Sequence, residues 1–477
     1  MKKVWNIFKV TLFTLVFTLI AVPVSLYIIL STQWAQNDIR KVAVSELSTL
    51  LGTDVSLGQI EIHPFNRLSI HDIRALDDNG NTALSVEEVS VAFELFYLLR
   101  TGRLVIDFAL IDGPEVALYK ATKDSPLNIA EILSNLKSDT PARQSRYDLK
   151  VNTVIIRNGK MNYDILDAPC RDSVFDINHL CFTDVFLNAY IPRISNNDYR
   201  VEIDRFSFAE SSSVRLDNLK AAAHVTPNSS TLEHMTIVFP HSSLSFSPVT
   251  LDYHGFAGLY DGFMNEGIKI DIMPGSIIYP PDFAGFAKGL SNLTDSVKII
   301  LNAQVASDRL QIDHLTLSQT DEKFAGTLSA DIDSLSAGVE AHYSLNDFRF
   351  SANQSGINAL LKILPEATQS QVTKQLRGLK PSDCLSLNAS ASGKIKNSNV
   401  KARLALGDNA LTLSAHYSTP DTFKTVMLKS NTKIAFDDLS FIKSPNAPTA
   451  MRGLLSANAS LKGKHHSISA KLDSTYI

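Results

Sequence analysis

The sequence is poor in the groups that carry chemistry. Among its 477 residues there are three cysteines and two tryptophans. It has no CxxC pair and no Cys/His cluster, so neither a zinc centre nor thiol redox chemistry is suggested. Cys170 and Cys181 have a spacing that a hairpin disulfide could use, which leaves Cys384 alone. The twelve histidines are scattered, and His465–His466 reads as a solvated turn, because two ligands without partners make a poor metal site. Asp331-x-Asp333 and Asp77-Asp78-Asn79-Gly80 also read as turns. The second lacks the acidic spacing and terminal Glu of a calcium loop. No GxSxG nucleophile elbow and no glycine-rich phosphate loop is present. The net charge of −4 offers no basic field for nucleic acid and no acidic tail. Catalysis, metals, cofactors and nucleic acid therefore find no support, and the expectation is a protein that is not an enzyme.

The N-terminus is the strongest compositional signal. Lys2, Lys3 and Lys9 precede a stretch in which no charge occurs until Asp38. Within it, residues 10–30, VTLFTLVFTLIAVPVSLYIIL, are mostly apolar and as a helix would be about 31 Å long, enough to span a bilayer. A cleaved signal peptide would have a shorter apolar region, roughly 7–15 residues, and a small-x-small site. The expectation is an uncleaved single-pass anchor over 10–30. Residues 1–9 form a cytoplasmic tail, and the lysines keep that side inside.

Beyond the span, residues 31–52 read as a juxtamembrane helix. Ile39, Val42, Ala43, Leu47, Leu50 and Leu51 recur at helical spacing, and Gly52 supplies a C-terminal cap. The rest is mainly short strands, with a first β unit over 53–140 and an extended β region over 145–477. Val297, Ile299, Leu301, Ala303 and Val305 alternate with polar neighbours, as do Leu411, Leu413, Ala415 and Tyr417. That period marks half-solvated antiparallel strands. LQIDHLTL (310–317) and VEIDRFSF (201–208) shift their apolar parity by one residue midway, which predicts a bulge that keeps both halves on one face. Helices are expected over 125–137, with Ser125 as N-cap, near 281–293 and near 359–378, the last interrupted at Pro365.

LSLNASASGKIK (385–396) matches LSANASLKGKHH (455–466), and the strand–Gly turn–strand order predicts a repeated β unit. The chain stops within the second copy, the pattern of a fragment of a longer protein. For SVEEVSVAFELFYLLRTGRLVIDFALIDGPEVAL (85–118), apolar periodicity does not separate two arrangements, of which physics alone favours the first. Two sheets could pack as a sandwich, or one sheet could curl into a trough with an apolar lining.

Residues 52–134 add a resemblance. LGTDVSLGQIEI (51–62), LSIHDIRALDDNG (68–80) and the block at 84–133 resemble the AsmA/TamB superfamily. That block runs strand, short apolar helix with Gly (Phe96–Gly102), strand, Asp112–Pro114 turn, strand and the Asn128–Leu133 helix start. YDLKVNTVIIRNGKMNYD (147–164) resembles the following strand–turn–strand unit. The resemblance is strongest over 1–190, and the C-terminal portion of a full TamB-type protein is not recognisable. It implies a mainly β fold: an elongated, curved, taco-like antiparallel β-groove with a few short helices and one N-terminal transmembrane helix. It further implies an inner-membrane protein with its bulk in the periplasm, carrying phospholipid between inner and outer membranes without a covalent step. On this reading Val89, Val91, Phe93, Leu95, Leu104, Ile106, Phe108 and Leu110 line the groove. The alternative is an envelope assembly scaffold whose sheet edge pairs with an outer-membrane β-barrel partner.

Overall fold

The computed structural model describes residues 27–63, 67–94, 105–130, 150–170, 175–195, 198–255, 267–319, 323–362, 384–419, 425–437, 450–462 and 465–476, with a few single positions between them. It is mainly β. The strands belong to one mixed sheet of 24 strands, and helices are few. The chain divides into two compact units, Met1–Asn196 with Arg200–Asp217, and Asn197–Tyr199 with Asn218–Ile477.

The first unit opens on helix α1, Gln33–Leu51, ended as expected by Gly52 at φ 69°, whose N–H donates to the Ser48 carbonyl at 2.8 Å. Only a residue without a Cβ adopts that left-handed turn without cost. One stripe of α1 (Ala43, Val44, Leu47 and Leu51) packs on buried Val55, Leu57 and Ala75 and on Ile70, Ile73 and Leu84. Strands β1 (Val55–Ser56) and β2 (Ile60–His63) both pair with β3 (Arg67–Leu76). β4 (Thr82–Phe93) and β5 (Val105–Lys120) follow antiparallel. β6 (Lys150–Ile165) then pairs with β5 in parallel, and β7 (His179–Ser195) returns antiparallel. The all-antiparallel expectation is thus corrected at one seam. A parallel pair needs a crossover connection rather than a hairpin, and the chain between Lys120 and Lys150 is long enough to be one. Most of β8 (Asp198–Glu210) completes the unit.

Four strands of this unit kink at one level. Asp72 in β3, Gly113 in β5, Asn158 in β6 and Asp184 in β7 have φ of 51°, 59°, 56° and 52°. Register pairs bracket them: His71 opposite Glu88 and Ile73 opposite Val86, then Glu88 opposite Asp112 and Val86 opposite Pro114. Asp, Asn and Gly are the residues that enter the left-handed region most readily. One such residue turns the following side chains over. Ile70, Ile73 and Ala75 therefore all pack toward α1, although strict alternation would separate Ile70 from Ile73.

The turn read at 77–80 is the anchor of this unit. Asp77 is buried, and its Oδ1 accepts from the Asn79 and Asn81 backbone N–H groups at 2.9 and 2.8 Å. Its Oδ2 accepts from the Tyr119 hydroxyl at 2.7 Å and from Asn128 Nδ2 at 3.1 Å. Asn128 Oδ1 in turn accepts from the Tyr119 N–H, while its Nδ2 donates to the Ala117 carbonyl. Burial raises the Asp77 pKa, but the four donors outweigh it and leave the carboxyl below its ordinary range. The expected helix over 125–137 begins later than Ser125. Asn128 and Ile129 are still in a turn, and the helical residues described are Ala130, Ile132 and Ser134.

The second unit carries most of β9 (Arg215–Val225), then β10 (Ser229–Val238), β11 (Ser243–Ser245), β12 (Val249–Asp252), β13 (Ile268–Ile272) and β14 (Ile277–Ile278). An antiparallel meander follows: β15 (Val297–Ala306), β16 (Arg309–Gln319), β17 (Phe324–Asp333), β18 (His342–Ala352), β19 (Leu385–Lys394), β20 (Asn397–Leu406), β21 (Asn409–Ser418), β22 (Thr425–Phe436), β23 (Met451–Lys462) and β24 (His465–Tyr476). The bulge expected in LQIDHLTL is present. The β16–β17 register shifts between Ile312 and Leu315, and Asp313 and His314 are both exposed. Shifts recur between Ser329 and Ala330 and between Leu345 and Phe348, then cease from the β19–β20 pair to β22–β23. In VEIDRFSF, Asp204 and Arg205 are likewise exposed side by side between half-buried Ile203 and Phe206. The two repeat copies fall on β19–β20 and β23–β24, each a pair of antiparallel strands consecutive in the chain.

Two helix expectations are corrected here. PDFAGFAKGLSNL forms two short 3-10 turns, Pro280–Phe283 and Lys288–Asn292, instead of one α-helix. Gly285 and Gly289 weaken an α-helix there, while tertiary contacts hold the turns. Phe283 packs edge-on to Phe239 at 4.8 Å, and Asp282 accepts from the His241 N–H and from Ser242 Oγ. The later helix α2 is Gln354–Leu361, starting before residue 359, because Asn353 caps it by accepting from the Gly356 N–H at 2.9 Å. Residues 363–378 of that expectation lie almost wholly outside the described residues.

Candidate functional site

Directly opposed residues in a sheet share a face, so the register sorts the side chains. In the first unit Ile70, Val89, Ile111, Ile156 and Leu187 stand in one row across five strands. Leu68, Val91, Ala109, Val154 and Ala189 form the row beside it. Past the kinks, Ala75, Leu84, Val116, Met161 and Phe182 continue the same apolar face.

The opposite face carries the hydrogen-bonded and ion-paired groups, with apolar Phe108, Leu110 and Ile155 among them. Ser69 and Ser90 donate to Glu88 at 3.1 and 2.7 Å. Arg157 pairs with Asp112 at 2.7 Å, and Lys160 with Glu115 at 2.7 Å. The hydrogen bond from Arg157 holds the Asp112 carboxyl below its ordinary pKa.

This register divides the residues expected to line one groove. Val89, Val91 and Phe93 lie on the apolar face, with Ile106 opposite Phe93. Phe108 and Leu110 lie on the other face, opposite Ala92 and Ser90. The cause is a register shift between Ala92 and Phe93, which puts an extra residue into β5 between Ile106 and Phe108. The apolar face of β5 is instead Ala109 and Ile111, read by the pattern as the wrong parity. Leu95 and Leu104 lie outside the described residues.

The second unit repeats the arrangement. Leu315, Leu328, Phe348, Ala389, Ala402 and Leu413 form a row, flanked by Ile312, Ala330, Leu345, Ala391, Val400 and Ala415. Its other face carries Arg309 with Asp331 at 3.2 Å and Arg349 with Asp347 at 3.0 Å. Helix α2 covers the end of the apolar rows, burying Ile357 and Leu361 against Phe324, Ala352 and Val297. Further along the same face Leu404, Leu428 and Leu472 are 38 %, 39 % and 45 % exposed.

Most of the apolar face is half-buried. Among the described residues the largest side chain below 2 % exposure is Gln319, followed by Thr419 and four serines. A sandwich core would bring Leu, Ile and Phe to that level. Among the described residues the two clusters of buried apolar side chains, 2–9 % exposed, lie beneath α1 and α2.

Among the described residues no helix is long and apolar enough to cross a membrane. Most of the span expected over 10–30, together with Lys2, Lys3 and Lys9, lies outside them. Of the residues of that stretch that are described, Phe13, Phe17 and Ile28 are 60–72 % exposed and Val24 and Ile29 each 49 %. Cys170 and Cys181 are free thiols. No group of three His, Cys, Asp or Glu among the described residues is placed to hold a metal. No protein-family model, no curated protein and no solved structure matches the chain.

Proposed function

We propose that this chain is an AsmA/TamB-like inner-membrane protein, anchored through residues 10–30, whose apolar sheet face carries the acyl chains of phospholipids across the periplasm. One observation carries the reading. Apolar rows run unbroken from strand to strand on one face of a single sheet, half-buried and without the fully buried core of a second layer, while charge pairs occupy the back. Five strands at about 4.8 Å spacing give a row about 19 Å long. Each methylene kept from water there is worth about 0.8 kcal/mol, so an acyl chain is held by many small terms and by no single contact. Carriage of this kind needs no nucleophile.

The test is to purify the full chain from bacterial membranes and ask by mass spectrometry whether phospholipid co-purifies. Phe93→Asp is expected to remove it. Lipid-free protein from a lipid-replete preparation overturns the proposal and leaves an assembly scaffold as the better account.

A further inference from the structure

The described residues also form a polar pocket where the chain leaves the apolar run. A cavity of about 360 Å³ lies between the first two turns of α1 and the segment leading into β2. Gln33, Gln36, Asn37 and Arg40 line it from the helix, at the spacing that puts them on one face. Gly58, Gln59 and Ile60 line the other wall. That wall needs glycine, because a Cβ at Gly58 would meet the His71 carbonyl and the Asp72 Cβ at 2.9 Å. The lining thus holds four side-chain amides, one guanidinium and no carboxylate. Of the acids adjoining the lining in sequence, Asp38 pairs with Lys41 at 3.3 Å and Glu61 lies 3.8 Å from His63, while the Asp72 carboxylate sits behind the Gly58 wall.

We propose that this pocket binds the phosphodiester of a phospholipid headgroup, so that the lipid is held by its anion beside the apolar face. The inference rests on the lipid-carrying reading. Two further observations set the level. Residues 10–30 end only three positions before Gln33, and Trp34 stands 64 % exposed beside the pocket, the amphipathic side chain favoured in the headgroup layer. Helix residues 33–40 rise about 10 Å, and arginine on a helix leans toward the N-terminus, here toward the bilayer. A guanidinium presents paired N–H groups that match phosphate oxygens, and amides donate further hydrogen bonds without adding charge.

The experiment uses the full chain with Trp5→Phe in amphipol, so that tryptophan fluorescence reads Trp34 alone. Dihexanoyl-phosphatidylglycerol is expected to titrate it saturably. Arg40→Gln is expected to weaken that binding about tenfold or more, with an unchanged melting temperature, and Gln36→Leu to weaken it less. Unaltered affinity in Arg40→Gln overturns the proposal. So does inorganic phosphate binding as tightly as the lipid, since the site would then be a free-anion site. A neutral alkyl diazirine separates this failure from failure of the carrier reading. Labelling of Ile111 or Ile156 without headgroup binding refutes the pocket alone, whereas no labelling refutes the apolar path beneath it.

Discussion

Ile155 and Ile156 make the sharpest test of the two-faced sheet, because they are neighbours in β6 with the same side chain and the same half-buried state. Ile156 stands between Ile111 and Leu187 in the apolar row. Ile155 stands between Leu110 and Asn188 on the other face. An aspartate at 156 keeps its hydration shell and wets about three or four methylenes of a bound chain, which at about 0.8 kcal/mol each is about 3 kcal/mol. That corresponds to a loss of about 100-fold in lipid affinity. Ile155→Asp introduces the same charge one residue away and is expected to leave lipid binding within about twofold, since its carboxylate meets solvent and the Asn188 side of the sheet. The measurement is retention of a radiolabelled phospholipid by each full-length variant, normalised to folded protein by circular dichroism. Equal losses in the two variants would refute the face assignment. An Ile156→Asp protein that retains lipid would refute the apolar row as the path.

Asp77→Ala removes an acceptor of four hydrogen bonds and is expected to destabilise the first unit by about 3 kcal/mol in urea unfolding. Because the folded Asp77 pKa is lowered, its contribution is present above the ordinary carboxylate pKa and is lost as pH falls through the folded value. A wild-type stability profile that shows no acid loss relative to Asp77→Asn counts against this. His179 behaves in the opposite sense. Its hydrogen bond to Asp164 Oδ1 at 3.1 Å raises its pKa, so its stabilisation is full below about 6.5 and fades as pH rises through the folded value. NMR titration of His179, with His179→Gln as the flat control, checks the direction. Gly356→Ala is expected to dislodge the first turn of α2, since the added Cβ would collide with the Lys323 backbone carbonyl. A drop of about 2–3 kcal/mol is anticipated, and an unchanged melting curve would show that α2 does not seat as described.

How much of this was legible in the residues depends on which signal carries each feature. Gly52 announces the end of α1, and the parity slip in LQIDHLTL announces its bulge, because in each case an apolar pattern is broken at a visible place; the slip in VEIDRFSF announces the exposed Asp204–Arg205 pair. Phe108 and Leu110 were misleading for the converse reason. The extra residue in β5 falls within a run of alternating apolar residues, so Ile106, Phe108 and Leu110 look coherent while the β4–β5 register sets Ile106 opposite Phe93 and the other two opposite Ala92 and Ser90. The kinks at Asp72, Gly113, Asn158 and Asp184 left only a hint, single turn-formers inside strands. The parallel β5–β6 seam left none, since pairing direction depends on a connection and not on either strand's composition. Asn128 shows the limit of motif reading. The resemblance singled it out, but only the structure reveals that it ties Asp77 to the backbone of β5.

The row of left-handed residues in the first unit has a consequence for motion along the sheet. Because Asp72, Gly113, Asn158 and Asp184 bend their strands at one level, the crease crosses the strands instead of following them. On the lipid-carrying proposal, a ligand lying in it would advance one strand at a time, giving up contact with one apolar residue as it meets the next of similar size. The energy along such a path is a shallow ripple with a period of about 4.8 Å, and a ripple of that kind is crossed by thermal diffusion. Directionality would then have to come from the ends of the track, where ligand enters and leaves, and not from any strand in the middle.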